Sequence, residues 1–310
     1  MNNTTSEDYA LNNWMAATPA LDTLSLCELT LPGTHNAGCD WQASYPTIPG
    51  AHWLACQHDS FYAQLNNGSR ALDVRLDFDF DAPGLGKFRF QHNGYRSTRT
   101  LGNLVTDLNR FLKENPDEFI ILDFHELKGG HQAFDFAYFN SMIIHFLGYR
   151  IIPTGNLHLS LGQLKHISPL ERILVATPSH RALDQTLFCK KIEHQWSRIA
   201  DTNTAELEKH IVDVLKNPPG EWAPWSLSAT SYSITSGPVD IKGHLNWWFD
   251  LAKRDWATQC NIINVDFIEE SKMVFYCRAA SLIKANNRIN SMATRASLNV
   301  TRAGTVTYPS

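Results

Sequence analysis

The sequence has no apolar run approaching the roughly 20 residues needed to span a bilayer, which argues against a transmembrane helix. Its six cysteines (Cys27, Cys39, Cys56, Cys189, Cys260 and Cys277) include no C-x-x-C pair, which argues against a cysteine-ligated zinc. Cys39 and Cys56 are near enough in sequence to bridge a loop in an oxidising compartment, but buried free thiols are the simpler expectation. A basic excess is also missing. The 27 Lys and Arg stand against 31 Asp and Glu, a formal charge of −4, so the chain does not read as a general nucleic-acid binder. There is no internal repeat at solenoid or propeller period, no low-complexity linker and no glycine-rich dinucleotide fingerprint. The opening residues, MNNTTSEDYALNNW, carry neither a basic n-region nor an apolar h-region, so they do not read as a signal peptide.

What is present is core-forming material. The 310 residues are 43% hydrophobic and 19% charged, enough to bury a full core in one large domain or two small ones. Short runs rich in β-branched and aromatic residues recur at Leu26–Leu31, Ala71–Phe78, Phe88–His92, Phe119–His125, Arg172–Thr177, Ala229–Ile234 and Asn261–Phe267, and read as strands. Between them lie helical patterns. Leu101, Leu104, Val105, Leu108, Phe111 and Leu112 share one helix face, and Asn115-Pro116 stops it. Phe134–Leu147, Thr204–Lys216, Gly243–Ala257 and Glu270–Ala285 read as further helices. Alternating strands and helices over this length predict a parallel sheet, best closed as a single (β/α)8-type barrel with some distortion. The barrel core is expected over about residues 22–286, with 287–310 a polar C-terminal tail.

In such barrels catalytic groups stand at the carboxyl ends of strands. The first predicted strand runs into Pro32-Gly33-Thr34-His35-Asn36. The second carries Asp73 and Arg75, the third ends at His92, the fourth carries Asp123, His125 and Glu126, and the last ends at Asp266. A lone histidine or aspartate at a strand end is usually a satisfied polar group, and Arg75 could simply pair with Asp73. Coincidence at one end of successive strands is what favours chemistry. One neutral imidazole can accept a proton from an attacking hydroxyl while a second, protonated one supplies the leaving alkoxide. A guanidinium between them can hold a non-bridging phosphate oxygen, and a carboxylate can fix the tautomer of one ring. The set suits phosphodiester cleavage.

Leu29-Thr30-Leu31-Pro32-Gly33-Thr34-His35-Asn36-Ala37-Gly38 resembles the first motif of the phosphatidylinositol-specific phospholipase C X-domain family. Gly68-Ser69-Arg70-Ala71-Leu72-Asp73-Val74-Arg75, Phe90-Gln91-His92-Asn93-Gly94, Phe119–Phe124 and Asn261–Phe267 resemble its later strand motifs, in order across most of the chain. The resemblance implies cleavage of phosphatidylinositol to diacylglycerol and a cyclic inositol phosphate. His35 would be the general base, His92 the general acid, Arg75 the transition-state stabiliser, Asp266 the group orienting His35, and Asp73 the residue positioning Arg75 or His92. It implies action on a phospholipid at a membrane surface by a secreted or peripheral monomer with no stable protein partner.

Two positions bear on cofactors. Asn36 is the residue typical of calcium-dependent members, whereas Arg75 is typical of metal-independent ones. His125 falls where the calcium-dependent members place an acidic ligand. Calcium wants six to eight oxygen ligands, and Asn36 and Asp73 with Glu126 nearby are too few, so no cofactor and no metal is expected. Asn36, His125, Asp201, Trp225 and Tyr232 are the candidate substrate contacts, Trp225 and Tyr232 by ring stacking and Asp201 by bonding sugar hydroxyls. Trp196, Trp222, Trp247 and Trp248 complete an aromatic second half. The sequence after Thr177, Pro178-Ser179-His180, lacks the basic residue that reads inositol in well-known bacterial members. A related lipid phosphodiesterase of other headgroup specificity, with or without calcium, therefore stays open, as does a barrel that binds without turnover.

Overall fold

The computed structural model describes residues 9–47, 50–130, 132–197 and 201–303, with side chains to residue 294. The opening segment through residue 8 and the last seven residues of the expected tail lie outside the described residues. In chain order the strands are β1 (Leu31–Thr34), β2 (Ala71–Phe78), β3 (Phe88–His92), β4 (Tyr95–Thr100), β5 (Ile120–Gly129), β6 (Ile173–Thr177), β7 (Phe188–Lys190), β8 (Glu193–Gln195), β9 (Trp225–Ser228), β10 (Ser231–Ser233), β11 (Gly237–Val239) and β12 (Ile262–Val265).

Eight of these pair in parallel in the order β7-β6-β5-β2-β1-β12-β9-β8. The two outermost strands of this path, β7 and β8, are separated by only Lys191 and Ile192. One extended stretch thus bonds first to β6 and then to β9, and the covalent chain completes the ring. The expected parallel barrel is present, in distorted form. Strands β3 and β4 hang from β2 as an antiparallel extension.

Period-two burial explains how the strands aim their side chains. Along β5 and the residue before it, Phe119 and Ile121 pack into one core cluster while Ile120, Leu122 and Phe124 pack into the other. Asp123 continues the first face. Ala71 occupies that face on β2, where Asp73 and Arg75 follow, while Leu72, Val74 and Leu76 pack outward. The polar groups thus continue the inward rows of apolar residues, toward the strand ends.

Several boundaries differ from the sequence reading. The first strand begins at Leu31, and residues 26–29 form turns instead. The strand expected at Ala229–Ile234 lies earlier, at β9, where Trp225, Leu227 and Ala229 alternate inward; residues 231–239 make the separate hairpin β10–β11. The helix expected over Gly243–Ala257 is two short ones, Lys242–Trp248 and Trp256–Gln259. The last helix does not stop at Ala285 but runs Met273–Ala303, so most of the expected polar tail is helical. All six cysteines are free, and only Cys189 is not fully buried.

Candidate active site

The ends of β1, β2, β3, β5, β8 and β9, with the residues around them, enclose a cavity of about 720 Å³. His35, directly after β1, and His92, the last residue of β3, face each other in its wall with ring centroids 6.0 Å apart and planes at 88°. His35 Nδ1 lies 2.8 Å from Asp266 Oδ1. A carboxylate fixes the proton on Nδ1 and leaves Nε2 with its lone pair toward the cavity. Asp266 follows β12, whose parallel pairing with β1 sets Val265 opposite Thr34, so sheet register alone brings the two partners together.

His92 has no such carboxylate. Its Nδ1 donates to the Leu54 carbonyl at 2.9 Å, with Cys56 Sγ 3.6 Å away. A carbonyl only accepts, so Nδ1 carries the proton and Nε2 is bare when the ring is neutral. Burial first, then the charges of His35 and Arg75, push the His92 imidazole down to about 3.

Arg75 reaches Asp73 with both arms of its fork, Nε to Oδ1 at 3.2 Å and Nη2 to Oδ2 at 2.8 Å. Burial opposes the charge on each partner, but Arg75 holds the Asp73 carboxyl well below its ordinary range and Asp73 raises the guanidinium above its own. Asp73 also accepts from the Asn36 backbone N–H at 3.3 Å. The pair is therefore a fixed positive head on a buried anion, lining the cavity floor beside both histidines.

The backbone at these strand ends is unusual. The only described non-glycine residues with positive φ are Asn36 (43°), Asn93 (52°) and Phe267 (51°). Each immediately follows a residue at the site: His35, His92 and Asp266. Left-handed geometry there costs about 1 kcal/mol or more per residue, least for asparagine, and turns the chain sharply away so that the preceding side chain projects from the strand tip. Gly33 is needed for closeness rather than for its φ, since a Cβ there would stand 2.2 Å from Asn264 Oδ1 on β12.

Beside β2, β5 carries a bulge. Val74 pairs with Phe124 and Arg75 with Glu126, so His125 is the extra residue, and both His125 and Glu126 line the cavity. His125 stacks on His194 of β8 with centroids 3.8 Å apart, and His194 Nε2 lies 2.5 Å from Asp123 Oδ2. Lys191, Glu193, Trp196, Ser228, Thr230 and Tyr232 complete the wall.

Of the expected substrate contacts, His125 and Tyr232 line the cavity. The Asn36 side chain is fully buried beneath it, with neither amide atom hydrogen-bonded. Two expectations fail. Trp225 is 2% exposed in the apolar core, because it starts its strand and so stands at the end away from the site. Asp201 is exposed in a neighbouring depression, where it accepts from the Ile234 N–H. His194 and Lys191, absent from the sequence reading, sit on a strand of three residues and its connector, too short and polar to signal themselves. The residues that would hold calcium do not fit it. Both Asp73 oxygens are engaged by the Arg75 guanidinium, and Glu126 Oε2 is held by Gln91 and Lys128.

The fold is that of the bacterial phosphatidylinositol-specific phospholipases C. Superposition on the enzyme from Listeria monocytogenes gives a TM-score of 0.64 over 88% of this chain and 99% of that one, at 19% identity. A Staphylococcus aureus phosphatidylinositol-specific phospholipase C matches at 0.59 over 89% and 97%, at 14% identity. In sequence, the chain is 27% identical over 146 residues to the 1-phosphatidylinositol phosphodiesterase of Listeria monocytogenes, a match that takes in 41% of this chain and 41% of that protein. No protein-family model matches the chain.

Proposed function

We propose that this single barrel is a phosphatidylinositol-specific phospholipase C, a phosphodiesterase that cleaves the lipid to diacylglycerol and inositol 1,2-cyclic phosphate. The observation that carries the reading is the facing pair His35 and His92 with the Arg75–Asp73 fork beside them in one cavity. The likeness to bacterial phospholipases C supports the substrate class.

His35, held by Asp266, takes the proton of the inositol 2-hydroxyl through Nε2. That oxygen attacks phosphorus, and the bond to the glycerol oxygen breaks. Arg75 binds a non-bridging oxygen and stabilises the charge that builds there. The positive charge belongs to the protein, so no metal is called for in this step. The nucleophile is part of the substrate, and a covalent enzyme intermediate is unnecessary.

His92 supplies the leaving oxygen with its proton, but in the free protein it is neutral. The phosphodiester anion, on entering beside the bare Nε2, favours the imidazolium and so loads the acid only when substrate is present.

The substrate would be met at a membrane surface by a secreted or peripheral monomer. Trp196 on the cavity rim (54% exposed) and Trp222 (76% exposed) offer amphipathic rings to such a surface. No described helix is long and apolar enough to cross a membrane. Phosphorus NMR of products from phosphatidylinositol and phosphatidylcholine vesicles, with and without chelator, tests the scheme. A cyclic phosphate from phosphatidylinositol alone, unchanged by chelator, is expected. Products from phosphatidylcholine would overturn the headgroup assignment, and loss of turnover in chelator the metal-free one.

A further inference from the structure

We propose that Asp123, His125 and His194 form a binding site for a zinc-type transition-metal dication at the cavity that His35 and His92 also line. The inference concerns binding and stands apart from the catalytic reading. Asp123 and His125 come from β5 and its bulge and His194 from β8, strands that do not pair with each other but whose side chains meet inside the ring. One ligand atom from each lies within 4.8 Å of the others, and an ion held there with bonds of about 2.0–2.2 Å takes the place of the hydrogen bond between His194 Nε2 and Asp123 Oδ2.

A second observation points to a missing partner. Asp123 is 3% exposed, yet its Oδ1 has no hydrogen bond, and His125 Nδ1 is likewise buried without one. A buried carboxylate oxygen and a buried imidazole nitrogen left without partners cost free energy. A cation satisfies both lone pairs together. Two nitrogens and one oxygen suit zinc and its neighbours in the transition series, not calcium, which takes oxygen. Three protein ligands leave one coordination position open, as zinc sites that exchange ligands do. His125 and His194 line the cavity, so that position opens into it, where water would complete the shell.

Two other groups compete for the same ion: the exposed His58, Glu269 and Glu270, and His35 with Cys56 and Asp266. Their donors differ, and the difference provides the test. Zinc-loaded full-length protein, examined by X-ray absorption, should show two imidazoles and no sulfur at one equivalent of metal. One imidazole with only oxygens, or one imidazole with sulfur, would place the ion elsewhere and overturn the proposal. In parallel, calorimetric titration with zinc should give a Kd weakened by about tenfold or more in His125→Asn and unchanged in His58→Asn. Undiminished binding by His125→Asn would equally overturn it. Because His125 Nδ1 makes no hydrogen bond, that variant is expected to fold; if it does not, the absorption measurement on wild-type protein decides alone.

Discussion

At the scale of single residues, the two histidines are unequal. His35 has a carboxylate behind it and His92 has a carbonyl. Replacing either by alanine should lower kcat by about 10²- to 10⁴-fold in a soluble inositol-phosphate assay; near-normal turnover in either variant would remove that residue from the mechanism. Arg75→Lys should recover little of what Arg75→Ala loses, because an ammonium cannot grip Asp73 and a phosphate oxygen in one plane. Full recovery by lysine would mean that charge alone matters there. His92 itself offers a direct reading. Its ring should stay neutral in the free protein through the mildly acidic range, and NMR titration should show it taking up a proton at higher pH once an anionic, non-cleavable substrate analogue is bound. An unmoved titration would remove the basis for calling it the acid.

At the scale of elements, the end of the barrel away from the cavity is held by a different kind of chemistry. Arg70, at the foot of β2, and Glu118, just before β5, are both fully buried, with Nη2 and Oε2 2.6 Å apart. The rest of the Arg70 guanidinium donates to the carbonyls of Leu11, Asn12, Leu65 and Ser69, and Glu118 accepts from the Met15 and Ala16 N–H groups. The pair thus ties the N-terminal segment across the barrel's floor. Glu118→Gln should cost about 3–5 kcal/mol, since it leaves a buried guanidinium uncompensated, read as a lower denaturation midpoint; a change below 1 kcal/mol would show that the floor relaxes around it. Much of this element structure was legible beforehand. β2, β3 and the helix Thr204–Lys216 keep the bounds read from the sequence, the helix with Asn203 as its cap. The edge strand β4 was missed because Tyr-Arg-Ser-Thr-Arg-Thr carries charge where a buried strand would carry apolar residues. His35, Arg75, His92 and Asp266 could be found because each stands on or next to a strand whose apolar run and sequence motif could be read. His194 could not, since nothing in Glu-His-Gln states that it lies against Asp123.

For the whole molecule, the burial of His92 couples stability to acidity. Its folded value, about 3, lies below the ordinary 6.5. Between those limits the unfolded chain binds the extra proton, so stability falls as pH is lowered from about 6.5 toward 3. Asp73, also depressed, adds to the loss at the acid end. Thermal unfolding should therefore show Tm declining through this window, and His92→Gln should flatten the decline. An identical slope in that variant would assign the effect to other groups.

The ring's closure through Lys191 and Ile192 has a topological consequence. Every ladder pair along the eight-strand path survives if the backbone is cut between those two residues, because β7 and β8 do not pair with each other. The barrel is in that sense a curled ribbon whose ends are joined by a splice of two residues, and the splice lies in the cavity wall. New termini could be opened there, with the old ends joined by a linker, to give a permuted chain that keeps all its sheet hydrogen bonds but whose catalytic cavity is free to gape.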